Sequence, residues 1–127
     1  RSSFSFFFFF KRNKMANIMS QAEIQEFERK QAKAEELGDT ILLLKAQSIE
    51  LDKKRQGNRE ALHHLRHLPA AKKEKKVVVL VGDLYISLPY QKALETVEEE
   101  MASLTKEIEE KRNEMKKLVN ELGELEG

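Results

Sequence analysis

The sequence predicts a mainly α-helical chain, a long antiparallel coiled coil of two helices joined by a β-hairpin. Three observations carry this. Two long proline-free stretches repeat apolar residues about every 3.5 positions. Between them lies VVVLVGDLYISL, two strand-like runs around a Gly-Asp turn. The composition agrees: 35% of the 127 residues are charged, only 7% are aromatic, and there is neither Trp nor Cys. Such a chain suits long helices better than an aromatic-rich globule. It has room for one domain. The lack of Cys excludes disulfides, a thiolate nucleophile and a thiolate metal site.

Residues 1–19 read as a disordered, low-complexity tail. Phe4 and Phe6 to Phe10 hold six of the seven Phe. Lys11, Arg12 and Lys14 follow this apolar run, whereas a secretory signal places its basic residues first. The run is also far shorter than the ~20 residues of a membrane span. The expectation is that residues 1–14 precede the true start, with Met15 or Met19 as initiator. Removing them deletes Arg1, Lys11, Arg12 and Lys14, which leaves 19 basic against 22 acidic residues and turns a net +1 into −3. General affinity for nucleic acid or for a membrane surface is therefore not expected.

The first helix is expected over residues 20–67. Ser20 with Glu23 offers a capping box. From Phe27 one heptad register continues: Phe27, Lys30, Ala34, Leu37, Ile41, Leu44, Ser48, Leu51, Arg55, Asn58, Leu62 and Leu65 fill its a and d positions, and eight of the twelve are apolar. Gly38 and Gly57 each cost about 1 kcal/mol against Ala. Because the register survives both, weak spots are expected rather than breaks.

Pro69 ends this helix, and residues 68–76 read as a charged loop. The hairpin follows over residues 77–88. In the first strand Val77, Val79 and Val81 share one face and Val78 and Leu80 the other, so both faces are apolar. In the second strand Leu84, Ile86 and Leu88 form one face and Tyr85 and Ser87 the other. A hairpin apolar on both faces, with two open edges, needs covering. Pro89 stops the second strand. The second helix, residues 90–126, has the strongest pattern, with Leu94, Val97, Met101, Leu104, Ile108, Lys111, Met115, Leu118, Leu122 and Leu125 at a and d positions, all apolar but Lys111.

This helix–hairpin–helix layout resembles the β-type prefoldin family. The segment ELDKKRQGNREALHHL narrows the match. Leu51, Asp52, Lys54, Arg55, Asn58, Arg59 and Glu60 look like the first-helix signature of the DNA-damage-regulated, prefoldin-like members. Gly82, Pro89 and the run Lys106 to Glu109 match them in kind, so the resemblance spans about residues 21–122. It implies a subunit of a hetero-hexamer with other α-type and β-type prefoldin-like subunits, working without ATP. In such complexes the hairpins join into a platform, while the coiled-coil tips hold non-native client proteins. AAA+ ATPase co-chaperone machinery is a further implied partner. The implied assembly residues are Val77, Val79, Val81, Gly82, Leu84, Ile86 and Leu88. The implied client-contact residues, at the distal tips, are Ile24, Phe27, Leu122 and Leu125. A cytoplasmic location follows, with a nuclear one also open.

Other constellations point to no chemistry. His63, His64 and His67 form HHxxH without the Glu of H-E-x-x-H or an evident third ligand, and read as solvated. Lys72, Lys73, Lys75 and Lys76 read as a solvated loop that also protects a strand edge. Glu98, Glu99 and Glu100 read as a solvated face. Arg55 and Asn58 are polar at seam positions, either as a specificity device or with the Arg55 head reaching into water. No phosphate-binding, nucleotide-binding or nucleophile motif occurs, so neither catalysis nor a cofactor is expected. The competing interpretation is a coiled-coil tether that dimerises in parallel.

Overall fold

A computed structural model describes residues 19–126. The expectations for the Phe-rich tail before Met19 lie outside these residues. The elements are α1 (Gln21–Arg66), α2 (Ala70–Lys73), β1 (Lys76–Val81), β2 (Leu84–Pro89) and α3 (Tyr90–Glu126). The fold is therefore mainly helical, with two long helices and an antiparallel hairpin between them.

Local sequence sets each boundary. The Glu23 N–H donates to Ser20 Oγ at 3.1 Å, so one half of the expected capping box is formed. α1 then runs through Gly38 and Gly57 without a break. At its end His67 N–H is shared between the His63 and His64 carbonyls, and Pro69 stops propagation. The expected loop contains one helical turn, α2. Pro69, at φ −57, sits before it, and its carbonyl accepts from Lys72 N and Lys73 N.

β1 and β2 pair in the register Val81↔Leu84, Leu80↔Tyr85, Val79↔Ile86, Val78↔Ser87 and Val77↔Leu88. Gly82 has φ +62 and no non-glycine residue has positive φ among the described residues. Glycine at the first central position followed by negative φ is a type II′ turn, which matches the strand twist.

The chain divides into two compact units. The hairpin unit is Ala46–Arg112. Its core joins Leu62 and Leu65 of α1 to Val79 of β1 and to Ala93 and Val97 of α3. Arg66 Nη2 reaches Glu98 Oε1 at 3.1 Å, so the end of α1 lies beside the first turns of α3. Further along, Glu50 and Leu51 border the same groove as Glu107 and Lys111, which makes the helices antiparallel within this unit. Burial of side chains such as Val79 and Val97, each about 1.5–3 kcal/mol, holds it together.

The heptad pattern missed one layer. Ala93 is fully buried and Glu100 half-buried, although both lie beside the seam rather than in it. The hairpin covers that flank. Glu100 corrects the expected solvated face, since its Oε1 accepts from the Gly82 N–H at 3.4 Å.

The other unit is Arg1–Lys45 with Asn113–Gly127. Among its described residues Ala34, Leu37 and Leu44 are buried, while Met115, Leu118, Leu122 and Leu125 are half-buried. These are the expected seam positions. Lys30, also a seam position, is exposed.

Candidate functional site

The hairpin has an inner and an outer face. Val77, Val79, Val81 and Leu88 pack into the core of their unit. Val78, Leu80 and Tyr85 point the other way and are 63%, 49% and 77% exposed. Leu84 and Ile86, although in register with the inner face, are exposed near the turn. Five apolar side chains thus stand in solvent on twelve strand residues. Exposed apolar side chains clustered in this way mark an interaction site.

The expected assembly residues therefore separate. Leu84 and Ile86 are accessible. Val79 is buried against this chain's own helices and is not available to a partner, while Val77, Val81 and Leu88 are mostly covered. Gly82 forms the turn. The outer face depends instead on Val78, Leu80 and Tyr85. Little in the sequence signals this choice, because Val77 to Val81 are apolar at every position; the register places six apolar residues on the buried side and Ser87 on the other.

The signature residues of α1 also spread. Asp52 and Arg55 pair along the helix, Oδ1 to Nη2 at 2.5 Å. The Arg55 head thus leaves the seam for its own helix surface, while its Nε stays buried without a partner. Arg59 donates to Gln56 Oε1 at 2.9 Å. Glu60 is exposed. Leu51 and Lys54 line the groove with Glu107 and Lys111.

Lys54 and Asn58 face a second groove. It measures about 450 Å³ and lies between α1 and β1, bordered by Gly57, Ala61, Leu65 and Leu68 on one side and by Val77 to Leu80 on the other. Asn58 Nδ2 and Glu100 Oε2 both belong to residues lining it, and both atoms are buried without a hydrogen-bond partner.

The expected tip residues lie in the other unit. Ile24 and Phe27 are half-buried, and Phe27 borders a shallow groove with Met19, Ala22, Glu23, Glu26 and Lys30. Leu122 and Leu125 are half-buried on α3. Arg29 holds Glu26 by a two-pronged ion pair, with Nη2 to Oε1 at 2.6 Å and Nε to Oε2 at 3.0 Å. That hydrogen bonding lowers the Glu26 carboxyl below its ordinary range and raises Arg29.

The remaining clusters have structural contacts. The His63 and His67 rings lie 4.3 Å apart, and His67 Nδ1 donates to the His63 carbonyl at 2.7 Å. Among the described residues no three His, Asp or Glu are grouped to hold a metal ion. Lys73 sits over the Tyr90 ring at 5.3 Å and donates to the Arg66 carbonyl, which ties the loop to both helices. Among the described residues no helix is long and apolar enough to cross a membrane.

Comparison with known proteins gives relatives of a single name. No family model matches the chain, and no solved structure matches it. The p53 and DNA damage-regulated protein 1 of Rattus norvegicus is 38% identical over 93 residues, which is 73% of this chain and 68% of that protein. Its counterparts in Mus musculus and Homo sapiens are each 34% identical over 109 residues, 86% of this chain and 80% of theirs. At this identity and coverage, the chain belongs to the family of the p53 and DNA damage-regulated protein 1.

Proposed function

We propose that the chain is a β-type subunit of a prefoldin-like hetero-hexamer, acting without ATP or cofactor to hold unfolded or unassembled proteins while large complexes form. The observation that carries this is the outer face of the hairpin. Val78, Leu80 and Tyr85 form an apolar surface with no cover among the described residues. An isolated two-stranded hairpin is marginal in water, and neighbouring hairpins of α-type and β-type subunits would bury this face in a shared platform. The resemblance of the Leu51 to Glu60 segment to prefoldin-like members supports the same reading, as does membership of a DNA-damage-regulated family.

On this reading the hairpin assembles the complex, α1 and α3 set its reach, and Ile24, Phe27, Leu122 and Leu125 contact clients. AAA+ ATPase co-chaperone machinery is a partner of the complex, located in the cytoplasm and also in the nucleus. Nucleic acid and membrane are not partners, and the chain is not an enzyme. A parallel coiled-coil tether fits less well, because the hairpin reverses the chain and brings Arg66 to Glu98.

Native mass spectrometry of a tagged chain purified from cells tests this. A mixed hexamer with two α-type subunits is expected. Recovery of a homodimer alone would overturn the subunit reading and favour the tether.

A further inference from the structure

All three His of the chain lie at the end of α1, and there is no Cys to compete with them for a metal. We propose that His63 and His67 form a two-imidazole site for a divalent transition-metal ion of right-angled coordination, Ni²⁺ or Cu²⁺, which clamps the last turn of α1.

The backbone places the two rings together. His67 N–H donates to the His63 carbonyl at 3.2 Å, so helical spacing holds as far as His67. Residues four apart stand one above the other on a single helix face. The same spacing brings both imidazoles of H-E-x-x-H onto one ion. Here the His63 and His67 rings are 4.3 Å apart, whereas His64 lies 5.9 Å from His63 in an edge-on contact. Both residues of the pair are exposed.

A hydrogen bond leaves one ligand nitrogen free. His67 Nδ1 lies 2.7 Å from the His63 carbonyl oxygen. A carbonyl oxygen only accepts, so Nδ1 carries the proton and the neutral ring keeps its lone pair on Nε2. Metal-binding imidazoles are commonly oriented by such a bond from their other nitrogen. The His63 ring nitrogens make no hydrogen bond among the described residues, so rotation about χ2 presents either one.

The ring separation selects the ion. With metal–nitrogen bonds of about 2.0–2.1 Å, a bound ion sits about 3.2 Å from the centre of an imidazole ring. Two centres 4.3 Å apart then subtend about 85° at the ion. That is close to the right angle of tetragonal or octahedral Ni²⁺ and Cu²⁺, and short of the tetrahedral angle of Zn²⁺. Water takes the remaining positions, since no third His, Asp or Glu is grouped with the pair among the described residues.

The surroundings accept the charge. The site lies at the C-terminal end of α1, where the helix dipole favours a cation. Arg66 is drawn to Glu98 at 3.1 Å, and Lys73 lies over the Tyr90 ring, so both of these cations are engaged elsewhere. Binding pins a loosely closed turn, in which the His67 N–H is shared between two carbonyls. The site is independent of the assembly reading, because neither ring belongs to the hairpin or its outer face.

The test is calorimetric titration of the untagged full chain with Ni²⁺, repeated with Zn²⁺ and Mg²⁺. One Ni²⁺ per chain is expected, bound more tightly than Zn²⁺, with no heat from Mg²⁺ and a raised melting temperature at saturation. His63→Ala and His67→Ala should each weaken Ni²⁺ binding about tenfold or more and lose that rise, while His64→Ala keeps both. All three positions are exposed and Ala favours a helix, so melts without metal should show folded variants. In the wild-type chain, paramagnetic broadening by Cu²⁺ should centre on the His63 and His67 amide resonances. Four results would each overturn the proposal: no Ni²⁺ binding, Zn²⁺ bound as tightly as Ni²⁺, an equal loss in His64→Ala, or unchanged binding when His63 and His67 are both replaced by Ala, which would mean an adventitious ion only.

Discussion

Leu80 stands directly across the hairpin from Tyr85, and the two are 49% and 77% exposed. One strand position away, Val79 faces Ile86 with Val79 only 7% exposed. Adjacent cross-strand pairs thus do different work: one closes the core of the unit and the other is presented to solvent. The pleat makes this division sharp, since alternate residues point to opposite faces.

Val79→Asp is expected to unfold the hairpin unit rather than to disrupt assembly alone. It places a charge beside Leu62, Leu65 and Val97, at a cost of several kcal/mol. Urea unfolding followed by circular dichroism checks this. A midpoint within error of wild type would show that Val79 is not a core residue.

The two central glycine classes should respond in opposite directions. Gly57→Ala removes a helix penalty and meets open space, so it should stabilise the chain by about 1 kcal/mol. Gly82→Ala forces a left-handed φ on a residue with a Cβ and should cost about 1–2 kcal/mol. Thermal melts of both variants, compared with wild type, decide the signs.

Arg55 and Asn58 interrupt an otherwise largely apolar seam and leave Arg55 Nε and Asn58 Nδ2 unsatisfied. Replacing both by Leu should stabilise the isolated chain by about 1–4 kcal/mol. Asp52→Ala alone should change stability by less than about 1 kcal/mol, because the pair is partly solvated. If the double variant were less stable, these residues would be better satisfied in solution than the structure shows.

Near the start of α1, the Glu26–Arg29 pair makes a pH prediction. The folded carboxyl titrates below its ordinary range, chiefly because Arg29 donates to it. Its contribution is therefore present above the ordinary carboxylate range and is lost as pH falls through the lowered folded value. A carbon-detected titration of Glu26 in wild type and Arg29→Ala should show the midpoint return upward in the variant. An unmoved midpoint would remove the pair from the account.

Much of this fold was legible because helices and hairpins write short-period patterns. Leu37, Leu44, Leu62, Leu65, Val97, Leu104 and Ile108 repeat as the seam and are buried as a seam should be. The Gly82-Asp83 turn also announced itself. The third layer was not legible. Ala93 and Glu100 lie on a flank that a two-helix register leaves wet, and only the hairpin folding back explains their burial. The choice of hairpin face was harder still, since Val77 to Val81 are apolar at every position. The groove beside β1 brings residues of α1, β1 and α3 together, a long-range relationship that no local period encodes.

The most direct measurement is incorporation of Leu80→Asp with Tyr85→Asp into the mixed hexamer, read by co-purification and native mass spectrometry. Both sites are exposed, so helix content and unfolding midpoint should stay close to wild type. The account predicts that the folded double variant is recovered free of α-type and β-type partners while the wild-type chain is recovered with them. A folded double variant that enters the hexamer as wild type does would contradict it.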